Sequence, residues 1–241
     1  MRNNGNPIIK NALNLTKEST YESSMTVAGT SIKVFLLMII AIASFLYSYE
    51  STVYTYSRSL TVAVVIAGII GVITSFMPKI ARFTSIIYAA VEGFALGALS
   101  NLLNQIYPGI AAQAILITMV VVIATLIVYS LFPNLASRVQ KFVSVALISI
   151  LGIYLLTFIL GLFGIQIPIY GNGGIGIGFS LIVIAIATLS LLIDFDNIVR
   201  GSRQGLPKYM EWYFAFGLTV TLIWLYTQIL QLLVQLNNSR D

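Results

Sequence analysis

The chain has 241 residues, 58% of them hydrophobic and 9% charged, where an ordinary soluble domain carries about 25% charged residues. A soluble fold of this length could not hide so much apolar surface, so lipid must be the solvent for most of it. The net charge of +5 is modest, and the sequence contains no cysteine and no histidine. Disulfides, thiol chemistry, the usual zinc sites and histidine acid–base catalysis are therefore excluded. No basic cluster of the kind a nucleic-acid surface needs is present, so no nucleic-acid partner is expected. Any pH response near neutrality would have to come from carboxylates in unusual surroundings.

Residues 1–24 are polar and read as a solvated, flexible tail, which leaves 25–241 as a single transmembrane domain. The tail has no apolar run followed by a small-residue cleavage site. No signal peptide is expected, and insertion would use the first helix. Ser23–Lys33 (SSMTVAGTSIK) is amphipathic and either lies at the interface or begins the first span. A helix needs roughly 20 residues to cross the hydrocarbon. Seven stretches come close enough: helix 1, Val34–Tyr49; helix 2, Leu60–Met77; helix 3, Phe83–Leu103; helix 4, Ile110–Phe132; helix 5, Phe142–Phe163; helix 6, Ile175–Val199; and helix 7, Trp212–Leu236. The breaks fall at Pro78, Pro108-Gly109, Pro133-Asn134, Pro168 through Gly174, and Gly201 through Pro207. The expected fold is an all-α polytopic membrane protein, seven helices in one bundle with short loops.

Lysine and arginine set the direction. With alternate loops on opposite sides, Arg2, Lys10, Lys17, Lys33, Lys79, Arg82, Arg138, Lys141, Arg200, Arg203 and Lys208 share one side, and only Arg58 and Arg240 lie on the other. Eleven against two predicts a cytoplasmic N-terminus and an external C-terminus, in a multi-pass protein of the inner or plasma membrane.

The chain has eight acidic residues, and an acid inside a span is costly enough to be a functional candidate. Glu92 sits among small residues of helix 3 (Ala89, Ala90, Gly93, Ala95, Gly97) and should face the bundle interior. It is either a protonated, hydrogen-bonded carboxyl or part of an ion or proton site. Gly93 and Gly97 form a GxxxG that lets another helix approach closely. Asp194 and Asp196 end helix 6. Two residues apart, they point about 200° from each other on a helix. Asp196 shares a face with Arg200 and is expected to pair with it at the surface; Asp194, which shares a face with Ser190 and Asn197, is the better buried titrating group. Lys79 and Arg82 are read as topology determinants, with an ion pair to Asp194 as the minor alternative. Glu211 is read as complementing the start of helix 7, beside the interface anchors Trp212 and Tyr213. Thr219, Thr221 and Gln228 are read as interhelical hydrogen-bonding groups. The run Gly171–Gly178 is read as a flexible loop entering helix 6; with no preceding strand and no following Lys-Ser/Thr, it is not a nucleotide loop.

Four segments together resemble the Bax inhibitor-1/YccA-like membrane proteins, and more narrowly their bacterial branch: MTVAGTSIK before helix 1, YAAVEGFALGALS in helix 3, GIGFSLIVIAIATLSLLIDFDNI in helix 6 and PKYMEWYFAFGLTVTLIWLYTQIL in helix 7. The resemblance runs from about Met25 over nearly the whole chain. It implies seven helices with the last one central and surrounded by the other six. Some members are pH-sensitive calcium leak channels in which an aspartate ending helix 6 pairs with one in helix 7, under an arginine latch. Others suppress cell death or modulate a membrane protease. The helix 6 aspartate corresponds to Asp194. No aspartate stands at the helix 7 position: the local pattern LYTQIL aligns Gln228, and equal sequence spacing aligns Gly217 or Leu218. Glu92, Asp196 or Glu211 would then have to act as partner, with Arg82 as candidate latch.

Two functions follow from this reading. One is a calcium leak gated by carboxylate protonation, with Asp194 as sensor and Glu92 lining or coupled to the pathway. Calcium would bind weakly through oxygen ligands, and no other cofactor is expected. The other is a membrane adaptor that binds and regulates another membrane protein without conducting ions. Whether Asp194 and Glu92 face a common cavity discriminates between them. A transporter lacks the expected paired broken helices. An enzyme is not expected: there is no nucleophile–base set, and the two helix 6 acids lie on one helix, not on the two adjacent helices an intramembrane aspartyl protease would use.

Overall fold

The computed structural model describes residues 24–50, 56–164 and 173–239. Most of the expected tail, with Arg2, Lys10 and Lys17, lies outside the described residues, as do Arg240 and residues 171 and 172 of the glycine run. The described chain forms seven α-helices: α1 Val27–Glu50, α2 Tyr56–Phe76, α3 Ala81–Ile106, α4 Ile110–Leu131, α5 Asn134–Leu162, α6 Gly174–Arg203 and α7 Met210–Asn238. A 3₁₀ turn, Pro78–Ile80, leads into α3. Six of these helices are long and apolar enough to cross a bilayer, and α2 carries a shorter apolar stretch, Leu60–Phe76. Large side chains such as Phe35, Val120, Ile148 and Leu151 face outward. That much exposed hydrocarbon is stable only against lipid. The protein is an all-α polytopic membrane protein.

Several helix ends run past the limits of the apolar runs. α1 begins seven residues before the predicted Val34, so the amphipathic segment is the first part of the span. Thr26 precedes it and accepts the Gly29 N–H at 2.9 Å, which satisfies one of the four unpaired donors of the first turn. α5 begins at Asn134, directly after Pro133, and not at Phe142. Its polar opening, which includes Arg138 and Lys141, continues the helix beyond the apolar run. α6 runs through Gly201, which had been placed in the break, and stops at Gly205. Gly205 has φ +65°, its N–H donates to Ser202 O at 3.1 Å, and the Leu206 N–H donates to Gly201 O at 3.2 Å. These two bonds close a helix C-terminus through a left-handed glycine. α6 begins at Gly174, one residue before the expected Ile175, so the part of the glycine run from Gly174 to Gly178 is helical.

α7 is the hub. It packs along α1, α3, α4 and α6, while α2 packs along α3 and α5 along α6. The two outer helices reach α7 through side chains: Ala67 of α2 clusters with Phe216 and Ile223, and Val143 of α5 belongs to a cluster that Trp224 completes. The largest core lies around α6 and α7, with Leu191, Leu225, Ile229 and Leu230 buried. Polar pairs tie the same helices: Ser180 Oγ donates to Gln235 Oε1 at 2.7 Å, and the Ser100 and Tyr226 hydroxyls are 2.7 Å apart. The closest backbone approach is that of α1 to α3. A methyl group on Gly93 would collide with the Ala41 backbone, and one on Gly97 with Phe45 O and the Ser48 hydroxyl, which is the packing role of a GxxxG.

Helix alternation brings Lys33, Lys79, Arg82, Arg138, Lys141, Arg200, Arg203 and Lys208 to one end of the bundle, the basic end. There Met25 is pinned across the α6–α7 loop. Its N–H donates to Leu206 O at 2.7 Å, and Ser24 forms an isolated antiparallel bridge with Pro207.

Candidate functional site

Glu92 lies eleven residues into α3 from Ala81, and Asp194 lies nine residues from the end of α6 at Arg203. At 1.5 Å per residue these are depths of about 17 Å and 14 Å from the basic end. The two carboxylates therefore sit at a similar level, and both line one cavity of about 790 Å³ between α2, α3, α6 and α7. Tyr88 and Glu92 contribute from α3, Asp194 and Asn197 from α6, Tyr213, Gly217 and Thr221 from α7, and Gly68, Gly71 and Ser75 from α2. No lysine or arginine among the described residues lines it.

Helical spacing accounts for this convergence. Tyr88 and Glu92 are four residues apart, as are Gly217 and Thr221, so each pair shares a face. Asp194 and Asn197, three apart, do likewise. Tyr88 packs edge-on against Phe216, with ring centroids 5.1 Å apart, and both residues line the cavity. Tyr213 donates to Ser75 O at 3.1 Å and ties α7 to the end of α2. The glycines create space. A Cβ on Gly68 or Gly217 would meet nothing within 4 Å, and one on Gly71 would reach only the Tyr88 ring.

Asp194 accepts a hydrogen bond from the Thr221 hydroxyl at 2.6 Å. None of the anticipated partners makes this contact. Gln228 is buried deeper in α7 and faces Tyr154. Arg82 lies over the Phe83 ring, 5.9 Å from its centroid, and forms no ion pair among the described residues; nor does Lys79. The equal-spacing alignment comes nearer, because Gly217 is one turn from Thr221 on the same face. Glu92 has no hydrogen-bond or ion-pair partner among the described residues.

Asp196 points elsewhere, as the 200° separation requires. It forms an ion pair with Arg200 one turn on and sits 3.4 Å from the Tyr129 hydroxyl of α4. It does not line the cavity.

Glu211 has a different role from the one its position in α7 suggested. It is 1% exposed, and its carboxylate caps α1, not its own helix. It accepts the Thr26 N–H at 2.9 Å and the Thr26 hydroxyl at 3.1 Å, and it is ion-paired with Lys33. Lys33 also lies over Trp212, 5.4 Å from the ring centroid. In an ordinary capping box a Glu three residues after the N-cap reaches back to the N-cap N–H. Here that position is Gly29, and Glu211 supplies the carboxylate from another helix. Gly29 is required because a methyl group there would occupy the carboxylate's place. The sequence signal was a Thr26 N-cap with glycine where the box needs an acid.

Among the described residues no group of three or more acidic, histidine or cysteine side chains could hold a metal. The arrangement offers instead two separated carboxylates on a partly apolar, partly aromatic space. The fold and this site define a polytopic membrane protein with an acid-lined intramembrane cavity. The family model described as Bax inhibitor 1 like matches residues 6–238, and the chain belongs to that family. No curated protein and no solved structure matches it.

Proposed function

We propose that the protein is a non-enzymatic, pH-sensitive cation leak, with calcium as the cation, and that the cavity bearing Asp194 and Glu92 is part of its pathway. The observation that supports this is the shared cavity itself: two carboxylates from different helices face one space with no basic residue, among those described, in its lining. Protons and cations would compete for each of the two carboxylates that border this space. Oxygen ligands this sparse suit transit of calcium rather than tight storage. Thr221 takes the structural place of a helix 7 acid at Asp194, and Glu92 supplies the second charge. In this reading the basic end faces the cytoplasm of an inner or plasma membrane. Asp196 and Glu211, each already paired, serve the scaffold.

The test is calcium flux into liposomes carrying the purified protein, over the acid-to-neutral range, with Asp194→Asn and Glu92→Gln beside the wild type. We expect a pH-dependent flux that Asp194→Asn makes insensitive to pH and Glu92→Gln lowers. No flux above empty liposomes from folded protein would sink this reading. A second reading is an adaptor for another membrane protein. It is favoured by the neutral Thr221 opposite Asp194, and it predicts no flux but specific co-purification of a membrane partner that survives Asp194→Asn.

A further inference from the structure

The cavity is larger and more apolar than an inorganic ion needs, and part of its lining is continuous with the apolar outer surface of α2. At about 790 Å³ it falls within the roughly 300–1,000 Å³ of organic ligand sites. Its lining includes Val64, Val72 and Phe76 of α2, which are 52%, 59% and 82% exposed on the outer surface. α2 packs along α3 and is not packed along α6. The gap between α2 and α6 is thus a lateral window whose sill is hydrocarbon. Its lining includes two carboxylates, one of them unpaired among the described residues, with Tyr88, Tyr213 and Thr221, and no described residue of positive charge. Tight residence of a divalent ion, as opposed to its passage, would need six to eight oxygens at close range, whereas here a few oxygens are spread over a broad apolar surface. An anion or zwitterionic headgroup would meet uncompensated negative charge. What fits is a cation with a hydrocarbon tail: its ammonium would be drawn to the carboxylates and to the faces of Tyr88 and Tyr213, and its tail would follow α2 out to lipid.

We propose that this cavity binds a single-tailed amphiphilic amine, admitted from the bilayer between α2 and α6, with its ammonium held between Glu92 and Asp194. The site shares its walls with the proposed leak pathway but requires no conduction. Such an amine would plug or modulate that pathway, because the ammonium occupies the place of the transiting cation. Gly68 and Gly217 are the positions at which the site can be closed without disturbing packing, since a side chain there meets no neighbour at its Cβ.

The experiment is equilibrium binding of radiolabelled dodecylamine to the full chain in phosphatidylcholine nanodiscs at neutral pH, with empty nanodiscs subtracted. Dodecanol serves as the neutral control of equal tail. The expected result is saturable binding of dodecylamine at one site per chain and none of dodecanol. Glu92→Gln should weaken binding by about tenfold or more. Gly68→Leu and Gly217→Leu, which keep both carboxylates, should abolish it while matching the wild type in thermal unfolding. Equal binding of amine and alcohol would overturn the proposal, and so would undiminished binding in both leucine variants. Because binding is read without an ion gradient, absence of flux leaves this result standing. Flux without amine binding would overturn this proposal alone.

Discussion

Two acidic regions near the basic end of the bundle use the same side-chain chemistry to opposite ends. At the α1–α7 clasp the Glu211 carboxylate is buried and receives Thr26 N–H, Thr26 hydroxyl and Lys33. In the cavity, Asp194 has one donor, Thr221, and Glu92 has none among the described residues. The glycines differ in the same way. Gly29 is there because Glu211 fills the place of its side chain, whereas Gly68 and Gly217 border space. A buried carboxylate surrounded by donors, with a glycine cut to fit it, is part of the scaffold. A carboxylate short of donors beside glycines that touch nothing is available to a ligand or a proton.

The comparison breaks first at Glu211 if it is wrong. Glu211→Gln leaves the partly buried Lys33 ammonium without its counter-charge and weakens the cap on α1. Removing one partner of a buried pair is expected to cost about 3 kcal/mol, read as a lowered midpoint of chemical unfolding in detergent. Replacing both members, Lys33→Met with Glu211→Met, should recover much of that loss, since a buried pair often adds little over an apolar isostere. Glu92→Gln should leave stability unchanged or raised, because it removes an unpaired charge.

The glycines give a test of opposite signs. At Gly29 an added methyl must displace the Glu211 carboxylate, so Gly29→Ala should destabilise by about 1–3 kcal/mol, the range for overpacking. At Gly217 the same methyl enters open space and reduces the freedom of the unfolded chain, so Gly217→Ala should stabilise by about 0.5–1 kcal/mol. Parallel unfolding curves of the two variants would show it. A loss at both positions would mean that the cavity glycines are packing residues after all.

The helices were legible because each apolar run must cross lipid, and hydropathy reports that directly. Their starts were less so. α1 and α5 carry polar first turns, and a polar residue moves the chain out of hydrocarbon without ending a helix; Thr26 and Pro133 mark the true starts. Glu92 and Asp194 stood out because a carboxylate in a span demands a reason. That they face one cavity depends on how α3 and α6 rotate against α7, which no local pattern encodes. Thr221 was legible as an interhelical hydrogen-bonding group but not as the partner of Asp194, because the pattern sought an acid in helix 7, although equal spacing pointed to Gly217 on the correct face. The clasp was the least visible feature. Thr26 and Glu211 are 185 residues apart, and Glu211 sits where it would ordinarily serve its own helix. The two flanking segments that carried much of the family resemblance, MTVAGTSIK and PKYMEWYF, prove to be its two halves.

The finest discrimination lies at Thr221. Thr221→Val keeps the shape of the side chain and removes the hydroxyl that, among the described residues, donates to Asp194. A typical hydrogen bond contributes about 1 kcal/mol net, and more if the abandoned acceptor stays dry. Asp194 borders a cavity in which water can replace the lost donor, so the expected cost in unfolding free energy is about 1 kcal/mol. Thr221→Ser, which retains the hydroxyl, should fall within about 0.5 kcal/mol of the wild type. A loss as large as that of Glu211→Gln would place Asp194 with the clasp, as a carboxylate that holds helices together. A small one leaves it open to the solvent of its cavity, where a bound cation can compete with Thr221 for the same oxygens.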